Sequence, residues 1–130
     1  MTTKISYAIA FVLGLGMVFL GARFFFAPEA ATDAFGIRFN ANGDYSFHHI
    51  KGIRDIFSGI LLCALVVIKE RRALGMMLLV ATIIPVSDMV TVLEKSYTSV
   101  QQAVPHIIAT IICSVVGILL LAAKPLIKAH

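Results

Sequence analysis

The chain has 130 residues, 59% of them apolar and only 14% charged, with a mean hydropathy of +0.94. A soluble domain is about half apolar and about a quarter charged, so disorder is excluded, too little polar sequence remains to coat a water-soluble globule, and one integral membrane domain is the expectation. The formal charge of +4 does not indicate nucleic acid, because Lys and Arg sit at the ends of apolar runs rather than on one solvated face.

A membrane-crossing helix needs about 20 mostly apolar residues. The first such run is 5–26. It is longer than the h-region of a secretory signal and no A-x-A site follows it. The chain also begins at Met1, so the expectation is that this span is retained. Ala27-Pro28-Glu29 ends it, because proline disfavours helix in the residue before it. Residues 29–46 form the longest polar stretch, with Glu29, Asp33, Asn40, Asn42, Gly43 and Asp44. Asn42-Gly43-Asp44 reads as a turn. Residues 29–35 read as a short amphipathic surface helix with Ala30, Ala34 and Phe35 towards lipid.

The second span is 47–68, the third 73–93 and the fourth 104–123. Lys69-Glu70-Arg71-Arg72 joins spans two and three as a tight hairpin. The fold class expected is all-α: a polytopic membrane protein of four transmembrane helices in an antiparallel bundle. With four spans, Lys4, Lys69, Arg71, Arg72, Lys124 and Lys128 share one side, against Arg38 and Lys95 on the other. The positive-inside rule puts both termini in the cytoplasm of a cell-membrane protein.

The ionisable groups within the spans gather at the other, extracytoplasmic end. Arg23 closes span one, His48 to Asp55 open span two, Asp88 lies late in span three and His106 early in span four. At about 100° per residue, His48, Lys51, Arg54, Asp55 and Ser58 fall within one arc of about 120°, while His49 points elsewhere and reads as interfacial. Gly52 and Gly59 edge that arc, where small residues admit a neighbouring helix. Ser87, Asp88, Thr91 and Glu94 share an arc on span three, and Gln102, His106, Thr110, Cys113 and Gly117 form a stripe on span four. These stripes are expected to face one another.

Asp55 lies about eight residues into its helix, roughly 12 Å along the axis at 1.5 Å per residue. A carboxylate at that depth needs a cation or a wet cavity, and Arg23 or Arg54 is the expected partner. One reading of the cluster is interhelical salt-bridging with snorkelling Arg and Lys. The other is a pocket in which Asp55, Asp88 and His106 are the candidate catalytic acid–base groups, and Arg23, His48, Lys51 and Arg54 the candidate ligand-binding groups. Phe24, Phe25, Phe47 and Phe57 are its candidate apolar walls. His48, His106, Asp55 and Asp88 lack spacing such as HExxH, so no metal is assigned. Cys63 and Cys113 lie in apolar runs with no CxxC and read as core residues. Gly14, Gly16 and Gly21 read as packing residues of span one.

Four stretches carry a resemblance. They are Gly21-Ala22-Arg23-Phe24 with Ala27-Pro28-Glu29, then Phe35-Gly36, then Lys51-Gly52-Ile53-Arg54-Asp55, then Arg71-Arg72-Ala73-Leu74-Gly75 leading to Pro85-Val86-Ser87-Asp88. Together they resemble a family of small four-span membrane proteins of bacteria and fungi, catalogued only as a domain of unknown function. More loosely, the chain resembles the DoxX-like four-helix membrane proteins, some of them linked to quinone or thiosulfate redox chemistry. The resemblance implies the four-helix fold and no particular reaction. No haem or flavin signature accompanies it, so the cofactor is left unassigned.

Three functions are open at this point. The first is acid–base chemistry on a small lipid-soluble molecule such as a quinone or terpenoid. The second is binding or transport of an anionic or protonatable ligand, for which four spans imply a homodimer. The third is an accessory membrane subunit whose only partner is lipid.

Overall fold

The computed structural model describes residues 2–39 and 42–123. Lys124 and Lys128 of the charge balance, and Asn40 of the polar stretch, lie outside them. Among the described residues the chain is all helix: α1 (Thr2–Phe26), α2 (Pro28–Phe35), α3 (Ser46–Val67), α4 (Arg71–Ala81), α5 (Ile83–Leu93) and α6 (Val100–Ala122). The stretches Thr3–Phe26, Arg71–Leu93 and Val100–Ala122 are each long and apolar enough to cross a membrane. Helix α3 is of similar length but carries Lys51, Arg54 and Asp55.

Two antiparallel pairs build the frame. In the first, Gly14 of α1 meets Gly59 of α3, and Gly21 meets Gly52. The glycines are seven residues apart on both helices and run in opposite order, so the two backbones touch along one seam. A Cβ at Gly21 would sit 2.5 Å from the Gly52 carbonyl, and one at Gly52 2.8 Å from the Gly21 carbonyl. In the second pair Gly75 of α4 meets Gly117 of α6, each Cβ position 3.1 Å from the other's carbonyl. Close backbone approach through small residues is how helices associate where water supplies no hydrophobic drive. Gly16 differs from these seam glycines: no described atom lies within 4 Å of its Cβ position.

Helices α4 and α5 are one span interrupted at Thr82. Pro85 has no N–H to give the Ala81 carbonyl. Thr82 absorbs the break by donating its hydroxyl back to Leu78 O at 3.0 Å. Helix α6 begins at Val100, four residues before the expected 104, because Gln102 Oε1 accepts from both the backbone N–H and the hydroxyl of Ser99, at 2.8 and 2.6 Å. That cap fixes the start ahead of Pro105.

At one end, the α3–α4 turn meets the start of α1 and the end of α6. Tyr7 donates to Lys69 O at 3.0 Å, and Arg71 Nη1 donates to the Leu120 and Ala123 carbonyls, which α6 itself leaves unpaired. The dry core of Ala10, Leu62, Leu74, Leu78, Val116 and Leu120 sits in this half. Large apolar side chains elsewhere face outward on every long helix, including Phe57 at 66% and Ile83 at 69% exposure. Such a surface is wrong for water and right for hydrocarbon, and with the three apolar helices it makes this a membrane protein.

At the other end, α2 folds back across the helix ends. Ala31 and Thr32 are buried and Ala30 is exposed. Ala34 is exposed as well, in keeping with the expected outer surface, but the expected lipid-facing Phe35 is corrected: it is half-buried and with Ala34 borders a cavity that α2 caps. Gly36 ends α2 at φ +95°, where its N–H bonds Thr32 O and Asp33 O and a Cβ would meet Gln102. Asn42 and Gly43 both take positive φ, 47° and 83°, in the expected turn.

Candidate functional site

A cavity of about 350 Å³ lies beneath α2, and every helix contributes to its wall. Its lower part is apolar: Val12, Leu13, Gly16 and Met17 of α1, Leu62 of α3, Met77 and Leu78 of α4. Leu62 and Leu78 also belong to the core, so the cavity floor is the core's upper surface. The open Cβ position of Gly16 is part of this space. Its upper part brings together Arg23, Lys51, Asp55, Asp88 and His106, with Phe24, Phe35, Ser58, Pro85 and Pro105 between them.

Lys51 is the most constrained of these. Its Nζ lies 2.8 Å from Asp55 Oδ2, and 4.9 and 5.0 Å from the ring centroids of Phe24 and Phe35. One carboxylate and two π-faces thus surround the ammonium. This corrects the expected pairing of Asp55 with Arg23 or Arg54. Residues four apart share a helix face, whereas neighbours in sequence diverge by about 100°. Arg23 instead donates to Ala30 O at 3.3 Å, tying α1 to α2. Arg54 is exposed and takes no part in the wall; its carbonyl accepts the Ser58 hydroxyl at 2.9 Å.

His106 is buried, and its Nε2 lies 3.0 Å from Phe35 O. A carbonyl only accepts, so Nε2 carries the proton, and in the neutral ring Nδ1 holds the lone pair. The imidazole packs edge-on to the Phe35 ring, 4.6 Å between centroids. Asp88 is half-buried, within electrostatic reach of Lys51, His106, Asp55 and Arg54, and makes no hydrogen bond or ion pair among the described residues.

His48 is 3% exposed but faces away from the cavity. Thr32 Oγ1 gives its proton to Pro28 O at 2.7 Å, so it accepts from His48 Nε2–H at 3.0 Å. Nδ1 of His48 is buried without a partner. The ring lines a second recess, of about 580 Å³, between α2 and the loop before α3. His49 stacks on Phe25 at 4.9 Å, on the opposite side. Of the expected apolar walls only Phe24 borders the cavity; Phe47 and Phe57 are exposed, and Phe25 packs on Gly52. Ser87, Thr91 and Glu94 are exposed, leaving Asp88 as the polar group that α5 contributes.

One participant escaped the sequence reading. Phe35 is both a wall of the Lys51 cage and the acceptor for His106; the spacing of Ala31, Ala34 and Phe35 at i, i+3 and i+4 was its signal. Cys113, on the expected stripe of span four, packs against the core and also lines the cavity, and Cys63 lies by the α1 seam, 3.8 Å from Phe11 O; neither is in a disulfide. Among the described residues no group of three His, Cys, Asp or Glu side chains could hold a metal ion.

No curated protein and no solved structure matches the chain. The profile of one family matches residues 14–120, which takes in both glycine seams, α2 and every charged side chain of the cavity. The chain therefore belongs to the family described as Domain of unknown function (DUF4267).

Proposed function

We propose that this protein crosses the membrane four times, through α1, α3, α4–α5 and α6, and binds a small lipid-soluble molecule in the cavity beneath α2. The excess of Lys and Arg at the α3–α4 turn supports cytoplasmic termini and an extracytoplasmic α2 end. Pairing of Lys51 with Asp55 removes two of the three charges that would oppose insertion of α3, and Arg54 is long enough to snorkel.

The observation that carries the binding reading is the cavity itself: one space shared by six helices, apolar along its length, with five ionisable side chains at one end. Small-molecule sites have this character. Salt-bridging alone does not account for Asp88, which has no partner to bridge. Acid–base turnover of the bound molecule is the second reading, favoured by the free carboxylate of Asp88 in the same cavity as His106.

The test is mass spectrometry of an organic extract of the purified protein, run beside thermal melting of Asp88→Asn and His106→Ala in detergent. A binding site predicts a co-purifying apolar compound that at least one variant loses while keeping its melting temperature. If both variants melt lower and retain the same extract as the parent, the cluster only holds helices together.

A further inference from the structure

We infer that the cavity selects a neutral, hydroxyl-bearing hydrocarbon, a small phenol or alcohol, over a carboxylate, a protonated amine or a molecule of the same size that lacks an O–H. This rests on the binding reading above and adds the chemical class of the ligand.

Charge balance is the first argument. Arg23 and Lys51 bring two basic groups to the wall and Asp55 and Asp88 two acidic ones, while His106 gives its Nε2 proton to the Phe35 carbonyl. Basic and acidic side chains of the wall are thus equal in number, and exposed Arg54 adds its field at Asp88 from outside the wall. A charged head group would enter an apolar space already balanced, and would bring its own uncompensated desolvation cost.

The second argument is the hydrogen-bond inventory. Lys51 is held by Asp55 and two aromatic rings, Ser58 donates to Arg54 O, and Arg23 and His106 donate to α2 carbonyls. Asp88 is the charged group of the wall left without a hydrogen bond among the described residues, and a carboxylate only accepts. Arg23 keeps N–H groups for an acceptor, but Asp88 is left for a donor. A hydroxyl supplies one without adding charge; a ketone, quinone or ether does not.

Size is the third. A volume of about 350 Å³ equals roughly a dozen water-sized groups at ~30 Å³ each. That suits one substituted ring or a short branched chain, its body among Val12, Met17, Leu62 and Met77 and its hydroxyl at Asp88.

The probes are para-butylphenol, its isomer para-propylanisole, and para-ethylbenzoate, all matched in heavy atoms. Uptake by the full-length protein in detergent is measured by equilibrium dialysis against protein-free micelles of the same detergent. The expected result is saturable binding of the phenol, with the ether and the benzoate at least about tenfold weaker, the scale of one charge-assisted hydrogen bond. In Asp88→Asn the gap between phenol and ether narrows and the benzoate gains, because the cavity then carries a net positive charge. An ether within about twofold of the phenol, or a benzoate that binds tightest, overturns the inference while leaving cavity binding intact. No saturable uptake of any probe overturns the cavity reading itself and this inference with it. Should Asp88→Asn fail to fold, the ranking of the three probes on the parent protein decides alone.

Discussion

Lys51 and Asp55 show what one residue contributes at this depth. Their side chains are 16% and 14% exposed, so removing either partner leaves a largely desolvated charge. Lys51→Met is expected to destabilise the protein by about 3 kcal/mol, read as denaturant or thermal unfolding in detergent. The double variant Lys51→Met, Asp55→Leu should recover much of that loss; a double variant no more stable than Lys51→Met would show that the pair is not what Lys51 stabilises. The i, i+4 spacing favours this pair over adjacent Arg54, although Arg23 or Arg54 is the partner that the sequence reading expects. The place of Arg54 just outside the cavity wall is not legible in the sequence, being a matter of roughly 60° of helix rotation at about 100° per residue. A surface residue gives a separate handle. Asp44 accepts from the Ser46 hydroxyl and backbone N–H, at 2.6 and 2.9 Å, which holds its carboxyl below the usual carboxylate range. A depressed folded-state pKa contributes stability above the unfolded value of about 3.9 that is lost as pH falls through the folded value. Asp44→Asn should therefore lower the melting temperature slightly at neutral pH and flatten its dependence on pH below about 4; an unaltered acid limb would remove Asp44 from the account.

The elements were more legible than their joints. Run length and apolarity located the long helices, and proline placed the end of α1. Helix α6 starts before the expected 104 because Ser99 and Gln102 form a capping box ahead of Pro105, although Gln102 stands on the expected stripe of span four. Helix α2 was placed correctly in sequence and Ala30 and Ala34 are exposed, but Phe35 borders the cavity, since eight residues hold too little pattern to decide between lipid and a neighbouring cavity. The glycines separate packing from space. A Cβ at Gly14 would lie 2.6 Å from Cys63 Sγ and 2.9 Å from the Gly59 carbonyl, whereas Gly16 faces the void. Gly14→Ala should cost about 1–3 kcal/mol through forced separation of α1 and α3. Gly16→Ala should cost nothing and gain up to about 1 kcal/mol from lower backbone entropy in the unfolded chain. Melting temperatures of the two variants in one detergent check this directly, and equal shifts would mean that the seam is not glycine-dependent.

At the scale of the whole molecule, the two ends have different tasks. The α3–α4 turn end is closed by a dry core and by Arg71 bonding to the last carbonyls of α6. The α2 end is lined by ionisable side chains of four helices, α1, α3, α5 and α6, and capped by a helix that carries its own bonds to α1, α3 and α6. Cysteine scanning in a Cys63→Ala, Cys113→Ala background fixes the orientation: Asn42→Cys should react with an impermeant thiol reagent added outside the cell and Arg72→Cys should not, and the opposite pattern would invert the topology. The most direct test of the account is a side-chain-resolution structure of the protein in lipid, purified from its own membrane. The account predicts non-protein density between Asp88 and the apolar floor at Leu62, with Lys51 still held between Phe24, Phe35 and Asp55. A cavity closed by Met17, Phe35 and Met77, with Asp88 ion-paired to Arg23 and no added density, would contradict it.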